Sequence, residues 1–270
     1  MIFARHYCTA LLKDMLVSQG TPHMSTPLSQ SIDGIALQGA GFDIVGKPIL
    51  SNLTLTLTEQ RIGIIGRNGS GKSSFLRLVA GLVAPSHGTV LVDGLKPATD
   101  RKAMLSRIGI LFQNPDHQII FPTVTEELAF GLRQKGMDKA EAAQAVVALL
   151  AQHGRSHWAA QAVTALSQGQ RHFLCLLAVL AMEPGTILLD EPFAGLDLPT
   201  QNRLTRALAA LPQRLILITH DPKAIAGYDR VIWLEDGRVR ADGAAGPIIA
   251  DFTAEMARLG EADADTDLTF

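Results

Sequence analysis

The run Gly66-Arg67-Asn68-Gly69-Ser70-Gly71-Lys72-Ser73-Ser74 sets three glycines, a lysine and three serines at a spacing that can cradle phosphate. Glycines let backbone N–H groups turn inward onto phosphate oxygens with no β-carbon in the way. A helix starting near Lys72 adds the positive end of its dipole. This pattern puts Lys72 on the β- and γ-phosphates of a nucleotide and the Ser73 hydroxyl on Mg²⁺. Asn68, Gly69, Ser70, Gly71 and Ser74 complete the expected nucleotide contacts. The plainer reading is a glycine-rich turn, but the strand before the run and the helix after it match the phosphate-binding pattern as well.

A second acidic element complements the first. Thr186-Ile187-Leu188-Leu189-Asp190-Glu191-Pro192 is an apolar strand ending in two carboxylates. Asp190 is placed to hold the Mg²⁺ shell. Glu191 faces the other way if strand geometry persists, and a carboxylate there can polarise an attacking water as general base. A solvated acidic strand end is the plainer reading. His220 ends the strand Leu215–Thr219 at the sheet edge where open α/β sheets bind ligands, within reach of donating to a γ-phosphate. A structural histidine is the alternative.

The elements that must position these groups alternate along the chain. Thr54–Leu57, Ile62–Ile65, Thr89–Val92, Ile108–Phe112, Thr186–Asp190, Leu215–Thr219 and Val231–Leu234 read as strands. Helical sequence lies between them, including Ser73–Ala80 closed by Gly81. The pattern predicts an α/β fold with a largely parallel sheet and an antiparallel β part. Residues 114–182 carry helical pattern and no strong strand, so they are expected to form an inserted helical subdomain. Thr123 with Glu126 and Asp138 with Glu141 read as capping boxes. The expected layout is an extension over 1–33, one α/β domain over 34–245 with its helical subdomain at about 114–182, and a helix with an acidic tail over 246–270. Met24 is an alternative start, and the first residues do not read as a signal peptide.

Composition narrows the classes. With 24 Lys and Arg against 26 Asp and Glu, the net charge is −2, so no nucleic-acid partner is expected. Cys8 and Cys175 are the only cysteines, too few for a metal or redox motif. The apolar run Leu174–Met182 is far short of the roughly 18 residues that span a bilayer. Mean hydropathy is nonetheless +0.19, high enough to suggest a surface covered by a partner.

Leu166-Ser167-Gln168-Gly169-Gln170 adds a helix start of its own, with Ser167 as N-cap and Gln170 three residues on. An ordinary capping box is one reading. A second anion-binding helix end is the other. Taken in order with the preceding motifs, residues 34–245 resemble the ABC ATPase family. The resemblance implies ATP hydrolysis by a dimer, a homodimer by expectation, in which Ser167, Gly169 and Gln170 complete the opposing chain's site. It implies that Gln113 senses the γ-phosphate and the metal, that Asp197 in Ala194-Gly195-Leu196-Asp197 lies in the loop crossing the dimer interface, and that Phe42 stacks on adenine. A core phenylalanine is an equally natural reading of Phe42. Gln168 departs from the family's usual glycine. Its side chain can crowd the partner's nucleotide or add a hydrogen bond, and slower hydrolysis is expected.

The stretch Phe112-Gln113-Asn114-Pro115-Asp116-His117-Gln118-Ile119-Ile120-Phe121-Pro122-Thr123-Val124 looks like the ATPases of energy-coupling-factor importers. That branch implies a transmembrane coupling subunit, a substrate-binding membrane subunit and a place on the cytoplasmic face of the membrane. Ile119, Ile120 and Phe121 would form the docking patch, with packing inside the helical part as the alternative. Within the branch the turn Thr58-Glu59-Gln60-Arg61 and the Ser167-Gln168-Gly169 signature are most similar to biotin importers. Cobalt and nickel importers share much of the pattern, and exporter or lipid systems remain the runner-up. No coiled-coil insertion or second cassette of the kind found in nucleic-acid-acting members is visible.

Overall fold

A computed structural model describes residues 33–262. The extension before residue 33, with Cys8 and Met24, lies outside the described residues, as does the stretch after 262. Two sheets face each other. In the smaller, β1 (Ile35–Ile44) pairs antiparallel with β2 (Lys47–Leu57) and β4 (His87–Val92), in the order β2-β1-β4. Along β2, Leu53, Leu55 and Leu57 are buried while Thr54 and Thr56 are exposed, the period of a sheet with one face on the core.

The larger sheet runs β5-β6-β7-β3-β8-β9 and contains β3 (Arg61–Ile65), β5 (Ile108–Leu111), β6 (Thr186–Asp190), β7 (Arg214–Thr219), β8 (Arg230–Glu235) and β9 (Arg238–Gly243). All its pairings are parallel except β8 with β9. Its central strands are unbroken apolar runs because both faces are covered. The helices are α1 (Lys72–Val79), α2 (Arg101–Met104), α3 (Val124–Gln134), α4 (Lys139–Gln152), α5 (Gln168–Ala181), α6 (Leu198–Ala209) and α7 (Ala245–Ala262).

On one face α1 inserts Phe75, Leu76, Leu78 and Val79 into the core between the two sheets. On the other, α5, α6 and α7 cover Ile187, Leu189, Leu217 and Val231. A third core holds Val124, Leu128, Val146, Leu150, Trp158 and Leu174 between α3, α4 and α5. Helix α5 belongs to both neighbours. Leu174 and Leu177 face the helical core, while Cys175, Leu176 and Val179 face the sheet.

The predicted capping box at Asp138 closes fully, as does the one at Ser167. The one at Thr123 does not. Thr123 Oγ1 accepts from the Glu126 N–H at 3.3 Å, but the Glu126 carboxylate takes the Thr123 hydroxyl and not its backbone N–H. Strands β1 and β9 were not expected. In β9 every second residue is exposed and none is a large apolar residue beyond Val239, so no hydrophobic run marks it.

Gly109 shows how tightly α5 lies on the sheet. A β-carbon there would sit 2.4 Å from Val179 Cγ1 and 3.0 Å from Pro184 Cγ. Gly109→Ala is expected to lower unfolding free energy by about 1–3 kcal/mol through overpacking. Val179→Ala in the same chain should recover part of that loss. Denaturant titration of the two single variants and the double variant checks this.

Candidate functional site: a phosphate loop and an acidic strand end

Strand β3 runs buried to Ile65, and the chain then turns at Gly66 into the phosphate loop. Gly66 has no room for a side chain, since a β-carbon would lie 2.3 Å from Leu234 O. Gly71 is the N-cap of α1 at φ +101°, where it lies against Leu50 and Ile49 of β2. Asn68, Gly69 and Ser73 are exposed around the loop, and Ser74 is half-buried. Ser70 is 5% exposed, and its Oγ is buried with no partner in the protein.

Lys72 is 8% exposed. Its Nζ donates to Gly66 O at 2.7 Å and Arg67 O at 2.9 Å. Burial pushes the ammonium's pKa down, opposed by the negative charges of Glu191 and Asp190. Arriving phosphate would supply anionic partners that the loop carbonyls supply only as dipoles.

The acidic strand end is adjacent. Register places Ile65 opposite Thr219 and Asp190 opposite Ile218, so β3, β6 and β7 end together. Burial raises the Asp190 pKa first and the neighbouring Glu191 charge raises it further, with Arg77 and Lys72 opposing. Strand geometry, the condition on which Glu191 was expected to face the other way, does not persist at that residue. Glu191 turns to φ +47°, and its N–H donates to Ile218 O at 2.9 Å. That turn carries its carboxylate toward β7. Oε2 accepts from Thr219 Oγ1 at 3.2 Å, and Oε1 lies 2.8 Å from His220 Nδ1.

This pairing changes what His220 can do. A carboxylate only accepts, so Nδ1 carries the proton shared with Glu191. In the neutral ring Nε2 is then an acceptor. His220 donates to a phosphate through Nε2 only as imidazolium. Thr219 is a participant that sequence reading missed, because a threonine closing an apolar strand has no signal of its own.

Ser73 and Asp190 supply hard oxygen donors suited to Mg²⁺. No group of three His, Cys, Asp or Glu side chains among the described residues could cage a metal. That donor set fits an ion whose shell is completed by phosphate and water.

Gln113 follows β5 at the same sheet edge and is exposed. Its loop is closed by its own side chains. Gln118 Oε1 accepts from Phe112 N at 3.1 Å, and the buried Glu127 accepts from Ile120 N and Phe121 N, each at 2.9 Å. Burial raises the Glu127 pKa against those two bonds. Of the expected docking patch, Ile119 packs into the neighbouring cores, Val124 is fully buried, and Phe121 leans on Phe130 with ring centres 5.2 Å apart. Ile120 alone stays open at 40% exposure. It lines an apolar cleft of about 150 Å³ with Ile108, Phe112, Glu127, Phe130 and Met182.

The remaining motif residues lie in helix starts and in the first hairpin. Ser167 accepts from Gln170 N at 3.3 Å while Gln170 Oε1 accepts from Ser167 N at 2.7 Å. Arg171 in the same turn pairs with Asp116 of the Gln113 loop at 3.0 Å. Asp197 caps α6 by accepting from Thr200 N at 2.9 Å, the leading cause of its lowered pKa being the Thr200 side chain. Phe42 is half-buried against the core between the sheets. The exposed apolar residues of its hairpin are Ile44 and Val45.

A family model described as ABC transporter matches residues 50–194. The chain is 52% identical over 219 residues to the biotin transport ATP-binding protein BioM of Rhodobacter capsulatus, spanning 81% of this chain and 94% of that one. Among solved structures, cbiO1 of Clostridium perfringens, part of the ABC transporter complex cbiONQ, superposes with a TM-score of 0.70 at 27% identity, covering 85% of this chain and 98% of that one. The ATP-binding cassette MJ0796, dimeric in a post-hydrolysis state bound to ADP and Pi, superposes with a TM-score of 0.68 at 26% identity, covering 78% and 98%. The family match over residues 50–194 and the 52% identity over 81% of this chain place it among the ATP-binding subunits of ABC transporters, and it is an ATPase of that family.

Proposed function

We propose that this ATPase drives an energy-coupling-factor importer for biotin, working as a pair of identical chains on the cytoplasmic face of the membrane. The observation that carries the hydrolytic half is the Glu191 carboxylate, aimed by Thr219 and His220 at the edge where the Lys72 loop begins. The 52% identity to the biotin transport protein supports the substrate.

In this reading Lys72, the loop amides and the start of α1 hold the β- and γ-phosphates of ATP. Ser73, Asp190 and Gln113 would hold a Mg²⁺ ion, which would supply charge neutralisation at the phosphate oxygens. Glu191 takes the proton of the water that attacks the γ-phosphorus, and ADP leaves. His220 fixes the carboxylate's direction. Ser167, Gly169, Gln170 and Asp197 face the second chain and close its nucleotide site. Phe42 is placed beside adenine. The cleft at Ile120 receives a helix of the transmembrane coupling subunit, next to the loop that carries Gln113. A ligand that binds one arrangement of that loop better shifts the cleft with it. Uptake measured in vesicles holding the whole complex tests the substrate. ATP-dependent entry of labelled biotin is expected, and entry of cobalt ions without biotin would overturn the assignment.

Glu191→Gln keeps shape and removes the base, so turnover should fall by about 10²–10⁴-fold while ATP binding persists. The ATP-loaded variant should sediment as a dimer. Turnover near the wild-type rate would refute the general-base role.

Lys72→Ala and Ser167→Ala damage opposite halves of a shared site. Mixed pairs of these chains hold one site with both defects and one with neither. Partial recovery of turnover on mixing is expected, against little activity in either pure variant. Completion of the site within one chain would show as no recovery.

Ile120→Asp places a charge in the cleft, which costs several kcal/mol, on the order of 3–5, where it is desolvated without a partner. The variant should melt like the wild type and bind ATP, yet fail to co-purify with the transmembrane subunit. Normal co-purification by a folded variant would remove this cleft from the interface.

A further inference from the structure

Gln168 stands where the family usually has glycine, and its side chain takes no part in the capping box between Ser167 and Gln170. It turns instead toward its own chain. Its Nε2 lies 3.1 Å from where a β-carbon on Gly195 would be. Gly195 is at φ +72°, so a glycine there serves both the backbone and the close approach. The next residue repeats the contact, since a β-carbon on Gly169 would sit 2.8 Å from Thr200 Cγ2 in the first turn of α6.

The loop under Gln168 is braced from beneath. Gln201 Nε2 donates to Leu196 O at 2.9 Å and to Phe193 O at 3.3 Å, and Leu196 is 9% exposed. Gly195 itself stays exposed, with Gln201 bonded to the carbonyls of Phe193 and Leu196 on either side of it in sequence and the exposed Gln168 amide close beside it. The exposed Ser167 and Asp197 lie immediately beside these two contacts.

We propose that Gln168 is a positioning residue. Its amide, seated on Gly195, locks the Ser167 turn to the Asp197 loop of the same chain, so that both reach the second chain as one preformed surface. This rests on the reading that Ser167 and Asp197 face a partner. With glycine at 168 the two segments order separately on pairing, and that ordering weakens association.

The test uses full chains. In a Glu191→Gln background, ATP-dependent pairing is measured by sedimentation with and without Gln168→Gly. Ordering a freed side chain or loop contact corresponds to about fivefold weaker pairing. The ATP affinity of the unpaired chain should not change, and its melting temperature should fall by no more than a few degrees, the cost of glycine in a first helical turn. In the hydrolysing background the chain concentration for half-maximal turnover should rise by a similar factor, about fivefold. kcat at saturating chain concentration should stay near that of the parent, a split that a general loss of stability would not give.

Unchanged or tighter pairing overturns the proposal. So does a change in saturated kcat with no shift in concentration dependence, the outcome if Gln168 acts on the partner's nucleotide. If the Glu191→Gln chain does not pair with ATP at all, the shared-site reading fails and this proposal fails with it. If it pairs and Gln168→Gly makes no difference, only this proposal is lost.

Discussion

Lys72 brings a positive charge to a place where 8% of the residue is exposed, and much of the surrounding structure makes that tolerable. A buried ammonium needs hydrogen-bond acceptors and opposite charge nearby. The acceptors are the carbonyls of Gly66 and Arg67, which point inward because the loop turns at glycines. The charge comes from Asp190, which ends a strand two places away in the sheet, and from Glu191 just after it. Loop and strand end must therefore be held near each other, which the common end of β3, β6 and β7 does. A six-stranded sheet buried on both faces makes that edge rigid, because its packed core admits only discrete rearrangements.

The helical part is tied to this rigid edge through side chains, each of which links a different pair of segments. Glu127 of α3 holds the N–H groups of Ile120 and Phe121, and Arg171 of α5 holds Asp116. Gln168 and Gly169 of α5 lie on the Gly195 loop and on α6. The Gln113 loop, the Ser167 turn and the Asp197 loop consequently form a connected chain of contacts from the phosphate site to the apolar cleft. A displacement at one end has few soft joints in which to dissipate.

Much of this arrangement was legible in the sequence where backbone geometry and residue type constrain each other. Gly66, Gly71 and Lys72 announce their roles because few residues can occupy those positions. Central strands announce themselves by burial on both faces. Strand β9 did not, since at the sheet edge its pattern carries little apolar signal. The direction of Glu191 was not legible for a different reason: it was conditional on strand geometry persisting one residue past Asp190, and there φ changes sign. Ile119, Ile120 and Phe121 looked equivalent as a run, but their burial differs because tertiary partners such as Phe130 lie elsewhere in the chain. Contacts made by single polar atoms, such as Thr219 to Glu191, leave no periodicity to detect.

The left-handed backbone at Glu191 has a consequence for how this chain can evolve. A non-glycine residue in that conformation costs about 1 kcal/mol, and glycine or asparagine would relieve most of it. Neither carries a carboxylate long enough to reach both Thr219 and His220. The position therefore cannot be optimised for folding and for chemistry at once. Under the general-base role proposed for Glu191, drift toward higher stability at residue 191 would yield chains that retain the phosphate loop but have lost turnover. Such chains would persist wherever one working site in a pair of chains is enough, and a gene duplication would be the natural place for them to accumulate.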